Sequence, residues 1–198
     1  AMYKSVNYSP DGQYMIVSTV SKPYSYQVPV QSFPSELNLV SANGTLIKQL
    51  QKPSTGGGGG GFGGAAGSAP RGYQWRNDAP STLVYSQAVP KTDPKSRAET
   101  GDNIYLLAAP FTGEAKKFYT TGSSFSGIEW GNEKYALVKE SARIARTNKT
   151  SLINPQTGAV IKVIADGSSE DTYKNPGRFL YTKGQFGENV LLFDKGNT

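Results

Sequence analysis

The chain contains neither histidine nor cysteine, and this limits what its serines and carboxylates can do. A serine nucleophile of the triad kind needs a histidine to accept its proton, so that chemistry is closed to this stretch of sequence. Thiolate nucleophiles, thiolate metal sites and disulfides are closed as well, and the redox compartment is left open. The acidic cluster in "ADGSSEDTY" gathers Asp166, Glu170 and Asp171, the oxygen donors that hard cations favour. Their spacing does not fit a Ca²⁺-binding loop, and Ser-Ser-Glu-Asp suits a turn that satisfies its own backbone donors. No metal and no cofactor is expected. Gly56 to Gly67 contains the GxGxxG pattern trivially. A phosphate loop would need a strand before it, a helix after it and, in the Walker form, a Lys-Ser/Thr pair. None of these is present, and residues 54–70 read as a flexible Gly-rich loop.

A basic group remains. "YALVKESARIARTNKTSLI" sets Arg143, Arg146 and Lys149 around one strand-to-strand connection, after Lys139. On its own the pattern fits a solvated hairpin. The formal net charge is +6 with a pI near 9.4, but the 21 basic residues are spread along the chain. Phosphate tracking requires a basic stripe, so nucleic acid is not an expected partner. No apolar run of about 18 residues suits a membrane helix, and "AMYKSVNYSP" lacks the apolar centre of a signal peptide; a signal could precede this stretch in a longer protein.

The elements that would carry these residues are strands. Gly 23 and Pro 12 favour many turns and short strands over long helices. In "SPDGQYMIV", Pro10, Asp11 and Gly12 supply turn chemistry directly before an apolar strand. The unit recurs after an aromatic residue: Tyr8 in "NYSPDGQYMIVSTV", Trp75 in "YQWRNDAPSTLVYSQAV", Trp130 in "IEWGNEKYALVKES". Tyr8 to Trp75 is an interval of 67 and Trp75 to Trp130 one of 55; removing the 12 residues Gly56–Gly67 makes the first 55 as well. Each unit then continues as strand, glycine-closed turn and strand, with Gly44, Gly113 and Gly158 closing the hairpins.

Four-stranded antiparallel sheets repeated at this length stack face to face as propeller blades. The expected fold is therefore all-β, a partial β-propeller of about three blades plus the start of a fourth. The blade-like units fall at about 3–50, 71–121, 123–166 and 177–198, with Asn189–Phe193 as the first strand of the last. A β-sandwich would share the strand content without the matched interval. Tyr8, Trp75 and Trp130 are expected as anchors in the core between blades. Three blades and a start do not close a ring, so the chain reads as a segment of a larger propeller.

The segments between the repeats resemble a known family. "KPYSYQVPVQSFPSELNLV", "FSGIEWGNEKYALV", "LAAPFTGEAKK" and "SSEDTYKNPG" are similar, in order and spacing, to the propeller of glutamyl endopeptidases in the prolyl oligopeptidase family of serine peptidases. Pro23, Ser25, Tyr26, Val28, Pro29, Phe33 and Pro34 fit that family's Pro-aromatic-Ser-Tyr loop. Phe125, Ser126, Gly127, Ile128 and Trp130 fit its blade-opening motif. Ser168 to Asp171, with Tyr173, Pro176 and Gly177, fit its acidic turn. The likeness runs from Tyr3 to about Gly177; the Gly-rich loop and "KSRAETGD" depart from it.

The resemblance implies a propeller that restricts access to an α/β-hydrolase domain, which holds the catalytic serine, aspartate and histidine and lies outside this chain. It implies a peptide substrate, a parent that is secreted or periplasmic, and a basic, aromatic-rich connection where Arg146 and Lys149 stand. Arg143, Arg146 and Lys149 would then steer substrate. The hydrolase domain of the same parent is the expected partner. A homo-oligomer of the segment, formed through bare blade faces or the last strand, is also expected. The alternative of another class is a stand-alone propeller scaffold that offers its loops to protein partners.

Overall fold

The computed structural model of this chain describes residues 2–22, 24, 27, 29, 32–53, 69–91, 99–171 and 177–193. The Gly-rich stretch Gly56–Gly67, the motif residues Pro23, Ser25, Tyr26 and Val28, and Tyr173 and Pro176 lie outside the described residues. The described residues form three four-stranded antiparallel sheets and one two-stranded sheet, in which every strand pairs with its neighbour in sequence. The first sheet comprises β1 (Met2–Tyr8), β2 (Tyr14–Val20), β3 (Ser35–Ser41) and β4 (Leu46–Gln51). The second comprises β5 (Arg71–Trp75), β6 (Thr82–Ala88), β7 (Asp102–Ala108) and β8 (Lys116–Thr120). The third comprises β9 (Ser124–Trp130), β10 (Ala136–Ala142), β11 (Thr147–Ile153) and β12 (Val160–Ser168). A short hairpin follows, β13 (Tyr181–Lys183) with β14 (Asn189–Leu191). Among the described residues no helix is long and apolar enough to cross a membrane.

The core lies between the sheets. Side chains alternate across a strand, so in β6 Leu83 points to one face and Val84 to the other. Leu83 joins Trp75, Leu107 and Phe111 against Ile16 and Leu39 of the first sheet. Val84 joins Ile104 and Phe118 against Ile128, Trp130, Ala136, Val138 and Ile153 of the third. The second sheet is thus covered on both faces. This explains why β6 reads "TLV" without polar alternation, the pattern of a strand buried on both sides. Sheets that bury their faces only on sequential neighbours are propeller blades, and the all-β partial propeller expected from the repeat is what the structure has.

The three aromatics occupy equivalent places at the ends of β1, β5 and β9. Trp75 and Trp130, 5% and 3% exposed, each reach into the junction with the preceding sheet. Trp75 Nε1 also donates to the Asn7 carbonyl of β1 at 3.0 Å. Tyr8 differs: it lies opposite Met15, on the face turned away from the second sheet, and is 59% exposed. Among the described residues no sheet covers that face, so Tyr8 anchors no core here.

One turn and one strand also depart from the expectation. Gly44 and Gly158 close their hairpins at positive φ, 89° and 74°. Gly113 does not have this conformation; the β7–β8 turn instead uses a cis Ala109–Pro110 bond and Phe111 at φ 66°. Phe111 is buried at 3% exposure, edge-on to Tyr14 with ring centres 4.9 Å apart. Apolar burial thus selects the left-handed residue in a place where sequence favoured glycine. In the last hairpin, Asn189–Leu191 is the second strand rather than the first, because Tyr181–Lys183 precedes it and supplies its ladder.

The opening "SPDG" turn joins two sheets. Asp11 accepts hydrogen bonds from the Ser9 hydroxyl (2.6 Å), the Gln13 amide (3.1 Å) and the Ser81 hydroxyl of the second sheet (2.6 and 2.7 Å). Its own amide donates to the Pro80 carbonyl at 3.2 Å. Burial alone would raise its pKa, but the donors from Ser81, Ser9 and Gln13 hold it below the usual carboxylate value. A depressed carboxyl contributes stability above its unfolded pKa of about 3.9, and the contribution disappears as pH falls through the folded value. Asp11→Asn is therefore expected to melt below the wild type at pH 7 and to converge with it near pH 2. A gap between the two melting temperatures that is equal at both pH values would refute the ionised junction.

Candidate functional site

The two faces of the third sheet differ in chemistry. Toward the second sheet it presents Ala136, Val138 and Ile153; toward the β13–β14 hairpin it presents Glu129, Lys139 and Thr150. The register explains the division. Val138 pairs with Ile128 and Ser151, while Lys139 pairs with Gly127 and Thr150 on the opposite face. Between this polar face and residues 177–181 runs an open cleft of about 450 Å³, with Asn148 and Thr150 of β11 and Ala165 and Gly167 of β12 on one side and Arg178, Phe179 and Tyr181 on the other.

A charged relay organises the cleft. Glu129 Oε1 forms an ion pair with Lys139 Nζ, and Glu129 Oε2 accepts from the Tyr181 hydroxyl at 2.7 Å. Lys139 Nζ stands 5.6 Å from the centre of the Phe179 ring, within cation–π range. Desolvation of the Tyr181 hydroxyl, together with the neighbouring Glu129 carboxylate, pushes its pKa up to about 12. At neutral pH Tyr181 is therefore a fixed donor. Ser168 Oγ accepts from the Glu170 amide at 3.2 Å, and Ser169 Oγ donates to the Arg146 carbonyl at 3.1 Å. With no histidine in the sequence, neither hydroxyl belongs to a serine–histidine pair. The groups here suit recognition of a polar, extended ligand through charge-assisted hydrogen bonds.

The three basic residues singled out from the sequence are not brought together. Arg143 and Arg146 lie at the exposed tip between β10 and β11, Arg146 at φ 51°. The Arg146 guanidinium meets Glu170 at 2.9 Å, with both side chains mostly exposed, an arrangement that holds little energy. Lys149 sits opposite Glu140 and Asp166, and alternation along β11 directs it to the face away from the cleft. Of the basic residues in this stretch of sequence, it is Lys139 that lines the cleft. Its signal lies in "ALVKE", where period-2 alternation separates Leu137 and Lys139 from Ala136, Val138 and Glu140.

The stacked four-stranded meanders define a segment of a β-propeller. No protein-family profile matches the chain. Two curated relatives do: the proteins named "Probable glutamyl endopeptidase, chloroplastic" of Oryza sativa subsp. japonica and of Arabidopsis thaliana. Each is 29% identical over 194 residues, which is 96% of this chain but 21% and 20% of the relatives. The chain thus spans about a fifth of the length of the curated relatives it matches. An acylaminoacyl peptidase of Pyrococcus horikoshii shares 15% identity with a TM-score of 0.43, over 83% of this chain and 25% of that one. The sequence relatives bear out the resemblance read from the motifs and support a propeller segment of such a peptidase.

Proposed function

We propose that this chain is the non-catalytic part of a prolyl oligopeptidase-family serine peptidase, a propeller segment that gates peptide access to a hydrolase domain of the same parent. The observation that carries this reading is the alignment with glutamyl endopeptidases across 96% of the chain but only about a fifth of their length. A blade segment within a longer peptidase is related to its relatives in that way. Peptides are the substrate class, and the hydrolase domain is the partner on which the propeller acts. The polar cleft of the third sheet offers Lys139 and Arg178 to a passing chain, and Arg143 and Arg146 at the nearby tip add positive potential that draws acidic peptides.

The chain alone is expected to hydrolyse no fluorogenic glutamyl or prolyl peptide above the buffer blank, because it has no histidine base. Sequencing the gene beyond Thr198 completes the test. The reading expects a Gly-x-Ser-x-Gly elbow followed by aspartate and histidine. Turnover by the chain alone that a serine-directed inhibitor abolishes would overturn the non-catalytic role, and further blades without a hydrolase domain would overturn the peptidase parent.

A further inference from the structure

The last strand of each sheet has a ladder on one side only: β4 pairs with β3, β8 with β7 and β12 with β11. Such an edge displays unpaired N–H and C=O groups, a template onto which another chain can add a strand. Two of these edges are also apolar. Leu46 and Ile47 of β4 are 59% and 39% exposed, and Val160, Ile161 and Val163 of β12 are 49%, 50% and 43% exposed. Short aliphatic segments without proline are the kind that pair edge to edge between molecules.

Each of these edges carries a lysine in the same place. Leu46-Ile47 runs into Lys48, and Val160-Ile161 runs into Lys162. In all three sheets a lysine stands four residues after the hairpin glycine: Lys48 after Gly44, Lys117 after Gly113, Lys162 after Gly158. All three are exposed. Blade stacking does not call for them, since an exposed side chain takes no part in the packing between sheets. The β4 and β12 ladders are also interrupted by bulges, which twist an edge away from flat pairing.

We propose that Lys48 and Lys162 are edge guards, whose ammonium groups keep the outer edges of the first and third sheets from adding a strand of a second copy of this chain. Pairing two copies of β12 would bring two like charges together in a newly formed sheet and take them partly out of water, and both steps are unfavourable. The repeat places a charge where the flanking aliphatics would otherwise complete a sticky edge. β8 carries Lys116 beside Lys117, and its one large apolar residue, Phe118, is buried; its edge has less to guard.

Lys162→Val, alone and with Lys48→Val, tests the proposal by light scattering over a concentration series. Hydrogen exchange of β12 and a melt of the dilute protein accompany it. The valine variants are expected to associate at concentrations about tenfold lower than the wild type, with β12 amides gaining protection as concentration rises. Lys162→Arg and Lys162→Glu keep a charge and are expected to behave like the wild type. Three outcomes would overturn the proposal: unchanged association of the valine variants, association of Lys162→Glu equal to that of valine, or aggregates that arise without concentration-dependent protection of β12.

Discussion

Gly158→Ala is expected to lower the unfolding free energy by about 3 kcal/mol, from left-handed strain together with an overpacked junction. Gly158 turns the β11–β12 hairpin at φ 74°, and a Cβ there would lie 2.1 Å from the Phe118 carbonyl oxygen of β8. That neighbour is backbone of the adjacent sheet, so relief requires the two sheets to move apart. Gly44 provides the comparison. It has a similar φ of 89° with nothing within 4 Å of a Cβ, so Gly44→Ala should cost only the conformational strain, roughly 1 kcal/mol. Urea unfolding of both variants separates the two terms. Equal losses would mean that the hairpin of the third sheet does not rest on the second.

Trp130→Ala should cost more, about 4 kcal/mol, as for other large aromatic truncations in a core. Its ring is 3% exposed and packs beside Phe118 with centres 5.9 Å apart. A further contact is polar: the Arg76 guanidinium of the second sheet lies 4.4 Å from the ring centre. Arg76 is held there by a bidentate pair with Asp78, at 2.7 and 2.8 Å. Truncation would leave that pair over a cavity. Trp75→Ala acts on the other junction, and the two clusters share no residue. The losses of the double variant should therefore add to within about 0.5 kcal/mol. A double variant markedly less impaired than that sum would show that the junctions are a single cooperative contact.

What could be read from the sequence was local or periodic. The positive φ of Gly44 and Gly158, the anchoring of Trp75 and Trp130 and the stacking of four-stranded units all follow from turn chemistry, strand patterning and a repeated interval. Gly113 misled because glycine is permitted at positive φ without being required there, and burial of Phe111 between Tyr14 and Trp75 decided the turn. The polar fastenings left no trace in sequence. Asp102, 1% exposed, pairs with Arg71 of its own sheet and accepts from the Phe125 amide of the next at 2.8 Å. Glu140 accepts from the amides of Gly122 and Ser123 at 2.7 and 3.1 Å. A single carboxylate among surface-like residues has no period and no motif, and only its long-range partners show that it is interior. The cleft is half legible: the sequence and the resemblance point to a basic group in this region, but the face of a strand is set by alternation, which gives the cleft Lys139 and turns Lys149 away.

The order of the strands has a kinetic consequence. No ladder in the three large sheets skips a strand, so each sheet can be completed from a contiguous stretch of chain, with low contact order and correspondingly quick pairing. A finished sheet still leaves Leu83 or Val138 facing water until its neighbour docks, and that meeting of faces is the slower step. Synthesis from the N-terminus delivers the sheets one after another in the order in which they stack. Each new meander therefore emerges beside the partner it must cover, and the interval during which a bare face can find a wrong one is short.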